Sequence, residues 1–152
     1  MKTLADLIAE HPLFAGLPRG VCDYVAGCGR NRVVAAGAYV FREGDAADEF
    51  LLLRHGHVAL ETYSPVRGGF RFQTLGPGEM LGVSWLVPPY QWDFDARALE
   101  TVRAIAFDAR CLRDKCDEDP ALGYALMKRF VPILVQRMQA ARLQAMDVYA
   151  PS

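Results

Sequence analysis

Between residues 33 and 107 the chain breaks into seven short runs rich in β-branched and aromatic residues: 33–34, 39–41, 50–53, 58–63, 70–75, 96–99 and 102–107. Turn-forming residues separate them at short intervals, namely Gly37, Glu43-Gly44-Asp45, His55-Gly56, Gly68-Gly69 and Gly76-Pro77-Gly78. This pattern leaves few architectures open, because each strand must bury a face and pair its edge groups with a neighbour. A double-stranded β-helix, the two-layer jelly-roll barrel, is the economical solution. Leu51, Leu52 and Leu53 form an unbroken apolar triplet, which suits a strand covered on both faces.

Helical patterns flank the strands. Thr3, with Asp6 three residues on, predicts a capped first helix whose apolar face carries Leu4, Leu7 and Ile8. His11-Pro12 ends it, and Pro18 opens a second short helix on Val21, Tyr24 and Val25, running to Gly27 or Gly29. After the strands, Asp108 caps a short helix through Leu112, and Asp119-Pro120 begins a long one. From Pro120 to about Val148 that helix extends ~43 Å at 1.5 Å per residue. Leu126, Phe130, Leu134, Met138, Ala141, Ala145 and Val148 recur along it at spacings of three and four. Pro132 removes a backbone bond inside it and predicts a bend, so the first half is expected on the barrel and the second half projecting. A projecting apolar stripe needs a partner, and a homodimer through this C-terminal helix is the expectation. The expected organisation is a single domain, mainly β with flanking helices: N-terminal helices over 1–30, β-barrel over 31–107 and C-terminal helices over 108–149.

Composition excludes several function classes. Seventeen basic against 18 acidic residues give a formal charge of -1, too little field to attract nucleic acid or an anionic bilayer. Asp6 and Glu10 interrupt the N-terminal apolar pattern, unlike a secretory signal, and no run of eighteen apolar residues occurs, so a cytoplasmic location is expected. At 152 residues the chain buries a core without disulfide support. Cys22, Cys28, Cys111 and Cys116 lack the two-residue gap of zinc knuckles and redox pairs; they are expected as small buried hydrophobes, with an iron–sulfur or zinc site as the sharper alternative. His55 and His57 flank a turn without a third ligand. Lys128, Arg129, Arg137 and Arg142 read as the wet face of the long helix. No nucleophile triad, paired-carboxylate motif, Walker loop or metalloprotease signature is present, so a non-enzyme without cofactor or metal is expected, an unknown small ligand remaining open.

The stretch GPGEMLGVSWLVPPYQWDFDARA, 76–98, carries the functional question. A Gly-rich entry into a helical turn at Gly82-Val83-Ser84 presents backbone N–H groups, a geometry that ordinarily serves an anion. The charged partners of such an anion are missing. Trp85, Tyr90, Trp92 and Phe94 fall within ten residues instead, and Pro88-Pro89 stiffens the loop. Rings at that density line a pocket for a flat or apolar ligand, or they plug it.

Taken together, PLFAGLP at 12–18, FREGD at 41–45, EFLLLRHGHV at 49–58 and LGPGEMLG at 75–82 resemble the cyclic-nucleotide-binding domain of the catabolite-activator and fumarate-nitrate-reductase regulator family. The resemblance implies a ligand cassette in which a Glu accepts from the ribose 2′-hydroxyl and an Arg pairs with the cyclic phosphate. It also implies a DNA-reading helix-turn-helix after the long helix, which is not expected within the sequence to Ser152. Val83 falls at the Glu position, Trp92 at the Arg position and Asp93 at the neighbouring small hydroxyl position. Loss of both charged hydrogen bonds weakens a cyclic nucleotide by ~10² to 10⁴-fold. Arg71 and Arg97 are the cations able to approach from neighbouring strands. The expectation is a regulatory or sensor module that does not hold cyclic AMP in the usual way and acts through its C-terminal helix on a protein partner. Its alternatives are a constitutive scaffold with a ring-filled pocket and an atypical cyclic-nucleotide binder.

Overall fold

In the computed structural model, residues 1–66 and 68–149 are described, the side chains of residues 148 and 149 excepted. Helix α1 (Leu4–Glu10), a 3₁₀ turn (Pro12–Phe14) and α2 (Arg19–Ala26) precede seven strands: β1 (Gly29–Val34), β2 (Tyr39–Phe41), β3 (Glu49–His55), β4 (Val58–Ser64), β5 (Gly68–Leu75), β6 (Asp95–Ala98) and β7 (Val102–Asp108). Helices α3 (Ala109–Glu118) and α4 (Pro120–Tyr149) follow. The strands form two antiparallel sheets, one ordered β1-β7-β3 and the other β2-β6-β4-β5. These are the two layers of the expected jelly roll.

The local signals act as the sequence indicates. The Thr3 hydroxyl accepts from the Asp6 N–H at 3.1 Å while the Asp6 carboxylate accepts from the Thr3 N–H at 2.8 Å, a reciprocal cap at the start of α1. Those bonds, with the Arg19 guanidinium beside it, hold the Asp6 carboxyl below the ordinary carboxylate range. Leu51, Leu52 and Leu53 are all buried on β3. At the β3–β4 turn Gly56 has φ +82°, and a Cβ there would stand 2.5 Å from the Thr101 carbonyl oxygen, so only glycine fits.

His11 joins the N-terminal turn to the sheet. Its Nε2 lies 3.1 Å from the Leu53 carbonyl and its Nδ1 accepts from the Leu13 N–H at 3.2 Å, which fixes the neutral tautomer with the proton on Nε2. Burial pushes its pKa below the ordinary histidine value, against the bond to Leu53, and the charge of Arg54 adds to the shift.

Two expectations are corrected. Helix α3 runs to Glu118 rather than stopping at Leu112, because 113–118 contains no breaker and Pro120 is the next one. Cys28 and Cys111 are joined in a disulfide, with Cα atoms 5.7 Å apart and a separation of 83 positions in sequence. A four-residue or five-residue spacing search does not pair residues from opposite ends of a barrel; the antiparallel β1–β7 pairing, which sets Gly29 opposite Phe107, brings them together. Closing so long a loop restricts the unfolded chain by about 4–5 kcal/mol in the chain-entropy account.

The chain divides into two compact units, residues 1–115 and the segment from Cys116 onward. The first holds both sheets. The second holds α4, on which Leu122, Leu126 and Phe130 are buried while Tyr124, Val131, Val135, Met138, Leu143 and Met146 are exposed. The predicted stripe therefore splits: Leu126 and Phe130 are buried, and its members from Leu134 onward remain accessible. The Val148 side chain lies outside the described residues.

Candidate functional site

The stretch between β5 and β6 is built against the β2–β3 turn. In that turn the Asp45 carboxylate accepts from the Arg42 N–H at 2.9 Å and Gly44 takes φ +88°. The returning limb is laced to it by backbone bonds: Gly44 N–H to the Trp92 carbonyl at 2.7 Å, Trp92 N–H to the Asp45 carbonyl at 2.9 Å, and Ala47 N–H to the Tyr90 carbonyl at 2.7 Å. The Glu43 N–H also donates to the Asp95 carboxylate at 2.8 Å. With both ends of the limb held, the direction of the Trp92 side chain is set by the backbone.

That direction is inward. Trp92 is only 3% exposed and stacks on Phe41, while Phe94 lies 5.9 Å from Trp92, 5.5 Å from Phe41 and edge-on to Phe72 at 5.7 Å. Gly82, at φ +140°, sits beside these rings: a Cβ there would lie 3.5 Å from Trp92 and 3.6 Å from Phe94. Phe41, Phe72, Trp92 and Phe94 thus form one cluster of aromatic rings. A single helical turn follows Gly82, with the Leu86 N–H bonded to the Val83 carbonyl at 2.9 Å. Among the described residues the N–H groups of Val83 and Ser84 have no hydrogen-bond partner. The Pro88-Pro89 bond is cis.

The remaining site residues separate. Trp85, expected among the pocket residues, points into the protein core: it is fully buried and stacks on Phe50, which in turn stacks on Phe107. Asp93 is exposed. It lines a surface depression of about 450 Å³ with Glu43, Ser84, Pro88, Pro89 and Trp92, and the wall of that depression carries two carboxylates and no cation. Arg97 is held by Glu61 through a paired contact at 2.8 and 3.3 Å, and that bond is the main reason the Glu61 carboxyl is lowered. Arg71 is exposed and lies opposite Glu61 in the β4–β5 register. Neither arginine replaces the missing one inside the ring cluster.

Arg113 is a residue that sequence reasoning missed. From α3 it donates to the Trp85 carbonyl oxygen and places its guanidinium 4.1 Å from the centroid of the Tyr90 ring, gripping the stretch at two points. Tyr90, at φ +57°, is a non-glycine residue in the left-handed region, with its N–H bonded to the Val87 carbonyl at 2.9 Å. Because the short helix was expected to stop at Leu112, no sequence signal placed Arg113 here. Among the described residues no three His, Cys, Asp or Glu side chains are grouped to hold a metal ion, and no helix is long and apolar enough to cross a membrane.

Comparison with known proteins agrees with this geometry. The family model of the cyclic nucleotide-binding domain matches residues 31–119. Cyclic nucleotide-gated ion channel 18 of Arabidopsis thaliana is 31% identical over 118 residues, covering 71% of this chain and 17% of the channel. The chain spans between 15% and 33% of the other matching curated relatives. A solved protein of Geobacter metallireducens superposes with a TM-score of 0.77 at 28% identity, over 91% of this chain and 99% of that one. A cyclic nucleotide-binding domain from Methylobacillus flagellatus gives a TM-score of 0.81 over 98% of this chain and 84% of its own, at 16% identity, a likeness of fold alone.

Proposed function

The chain belongs to the cyclic nucleotide-binding domain family, and from that premise we propose that it is a non-catalytic regulatory module whose cassette does not grip a cyclic phosphate by an ion pair. The observation that carries this reading is the buried Trp92, stacked on Phe41 at the position of the family's arginine. Val83 removes the carboxylate acceptor as well; Arg97 is committed to Glu61, and Arg113 is committed to the Trp85 carbonyl and the Tyr90 ring. A cyclic nucleotide at this cassette keeps only the Val83 and Ser84 N–H groups, which supports an affinity ~10² to 10⁴-fold below that of a fully equipped site.

Output passes through α4 to a protein partner, in the simplest case a second copy. Tyr124, Met127, Val131, Leu134, Met138, Ala141 and Ala145 follow a three-four heptad spacing, and Tyr124, Val131 and Met138 are each more than half exposed. Calorimetric titration with cyclic AMP and cyclic GMP at physiological salt tests the cassette. Saturable binding tighter than about micromolar refutes the reading, whereas absent or millimolar binding supports it.

The same ring cluster favours a second reading, in which the filled cassette binds nothing and the domain is a constitutive scaffold. Thermal-shift screening separates the two. A flat apolar compound that stabilises the parent but not Trp92→Ala supports a sensor, and a screen with no such compound supports the scaffold.

A further inference from the structure

The Cys28–Cys111 bond lies where a change of oxidation state reaches the cassette. Cys28 sits between α2 and β1, and Cys111 sits in the first turn of α3, whose N-terminus is capped by the Asp108 carboxylate accepting from the Cys111 N–H at 2.8 Å. Besides the Ala109 N–H bond to the Asp48 carbonyl, three side-chain tethers among the described residues hold this one short helix to the rest of the first unit. The disulfide is covalent. Lys115 donates to the Tyr24 carbonyl of α2 and stands 4.3 Å above the Tyr24 ring. Arg113 holds the Trp85 carbonyl and the Tyr90 ring. Only the first can be cut and remade by chemistry under ordinary conditions, and it is two residues away from the arginine that holds the cassette.

We infer that Cys28–Cys111 is a thiol-exchange site, taking a small dithiol or glutathione-class reductant, and that its reduction loosens α3 and with it the Arg113 hold on 85–90. The other role for the bond is a permanent staple. A chain of this length, with 34 buried apolar residues among those described, has a core that does not require one, and Cys116 remains outside any disulfide, unlike the fully paired frameworks of small stapled domains.

The exchange is balanced as a two-electron transfer. Cys111 is half-buried while Cys28 is 7% exposed, so a thiolate of the reductant attacks Cys111 Sγ, forming a mixed disulfide there and expelling Cys28 as a thiolate that takes up a proton. The second thiol then attacks the reductant's own sulfur in the mixed disulfide. Cys111 leaves as the thiol, and the reductant leaves oxidised.

The chain's two tryptophans both lie in this stretch, so intrinsic fluorescence reports on it directly. The test equilibrates the full chain in glutathione buffers of stepped redox ratio, traps thiols with a maleimide for mass counting, and follows tryptophan emission and amide hydrogen exchange. The expected result is reversible gain of two thiols at Cys28 and Cys111, with a shift in emission and about tenfold faster exchange over 83–92. Cys111→Ser should show the reduced signature without reductant, and Cys116→Ser should retain the parent's response. Should the serine variant fail to fold, the parent's own titration still decides. Absence of the bond in aerobically purified protein, resistance of the bond to glutathione and to dithiothreitol, or reduction that leaves emission and exchange over 83–92 unchanged would each overturn the inference. None of these outcomes bears on whether the cassette binds a cyclic nucleotide, so this test and the calorimetric one fail separately.

Discussion

The indole of Trp92 lies flat on the ring of Phe41, with centroids 3.8 Å apart and planes 4° from parallel. This stack holds the Trp92 ring inside the first unit. Trp92→Ala removes most of a buried side chain and leaves a cavity against Phe41 and Phe94, a change that costs about 3–5 kcal/mol in chemical denaturation. Trp85→Ala should cost a similar amount because it empties the Phe50 side of the core. If both variants unfold at the parent's denaturant midpoint, the rings are not packed as described.

His11 gives the fold a pH dependence. Its folded pKa lies below its ordinary 6.5, so above that pH both folded and unfolded chains are neutral and the full contribution is present. As pH falls below about 6.5, the unfolded chain takes up the proton first and stability declines until the folded pKa is passed. Urea midpoints measured from pH 7.5 to 5 should fall for the parent and less steeply for His11→Asn, whose side-chain oxygen still accepts from the Leu13 N–H. His11→Ala should cost about 1–3 kcal/mol at neutral pH, because the imidazole bonds to the Leu13 N–H and to the Leu53 carbonyl are both lost, the carbonyl keeping the Gly78 N–H. Parallel pH profiles for parent and His11→Asn would contradict this assignment.

For α4, a second copy docked along the exposed heptad predicts a dimer in sedimentation equilibrium. Met138→Glu places a carboxylate in that seam and should weaken association by at least about tenfold while leaving the fold intact, since Met138 is 61% exposed. Phe130→Ala should act differently, lowering stability by about 3–5 kcal/mol, because that ring is buried within its own chain. Equal association of parent and Met138→Glu would exclude this seam.

Gly56→Ala tests the β3–β4 turn. The left-handed backbone and the close Thr101 oxygen together predict a loss of about 1–3 kcal/mol. A Gly37→Ala control has the same sign of φ and open space, and should cost less. Equal midpoints for the two variants would mean that Thr101 moves away freely.

Much of this was legible in the sequence because its signals are local. The Thr3–Asp6 cap, the strand runs and their glycine turns each involve residues a few positions apart, and the substitutions at Val83 and Trp92 are read by counting from neighbouring motifs. The sequence did not tell Trp85 from Trp92: both are buried, but Trp85 packs on Phe50 while the backbone bonds that lace 90–92 to 44–47 set Trp92 on Phe41. Arg113 and the Cys28–Cys111 pair escaped for the same reason. Their partners are brought close by strand pairing across tens of residues, and nothing in the spacing of four cysteines selects that pair.

Because Cys28 comes just before β1 and Cys111 just after β7, every strand of both sheets lies on a single covalently closed circle of chain. A protease that nicks one hairpin tip opens the circle without parting it. The two pieces would still migrate together on a denaturing gel until the sample buffer contained a reductant.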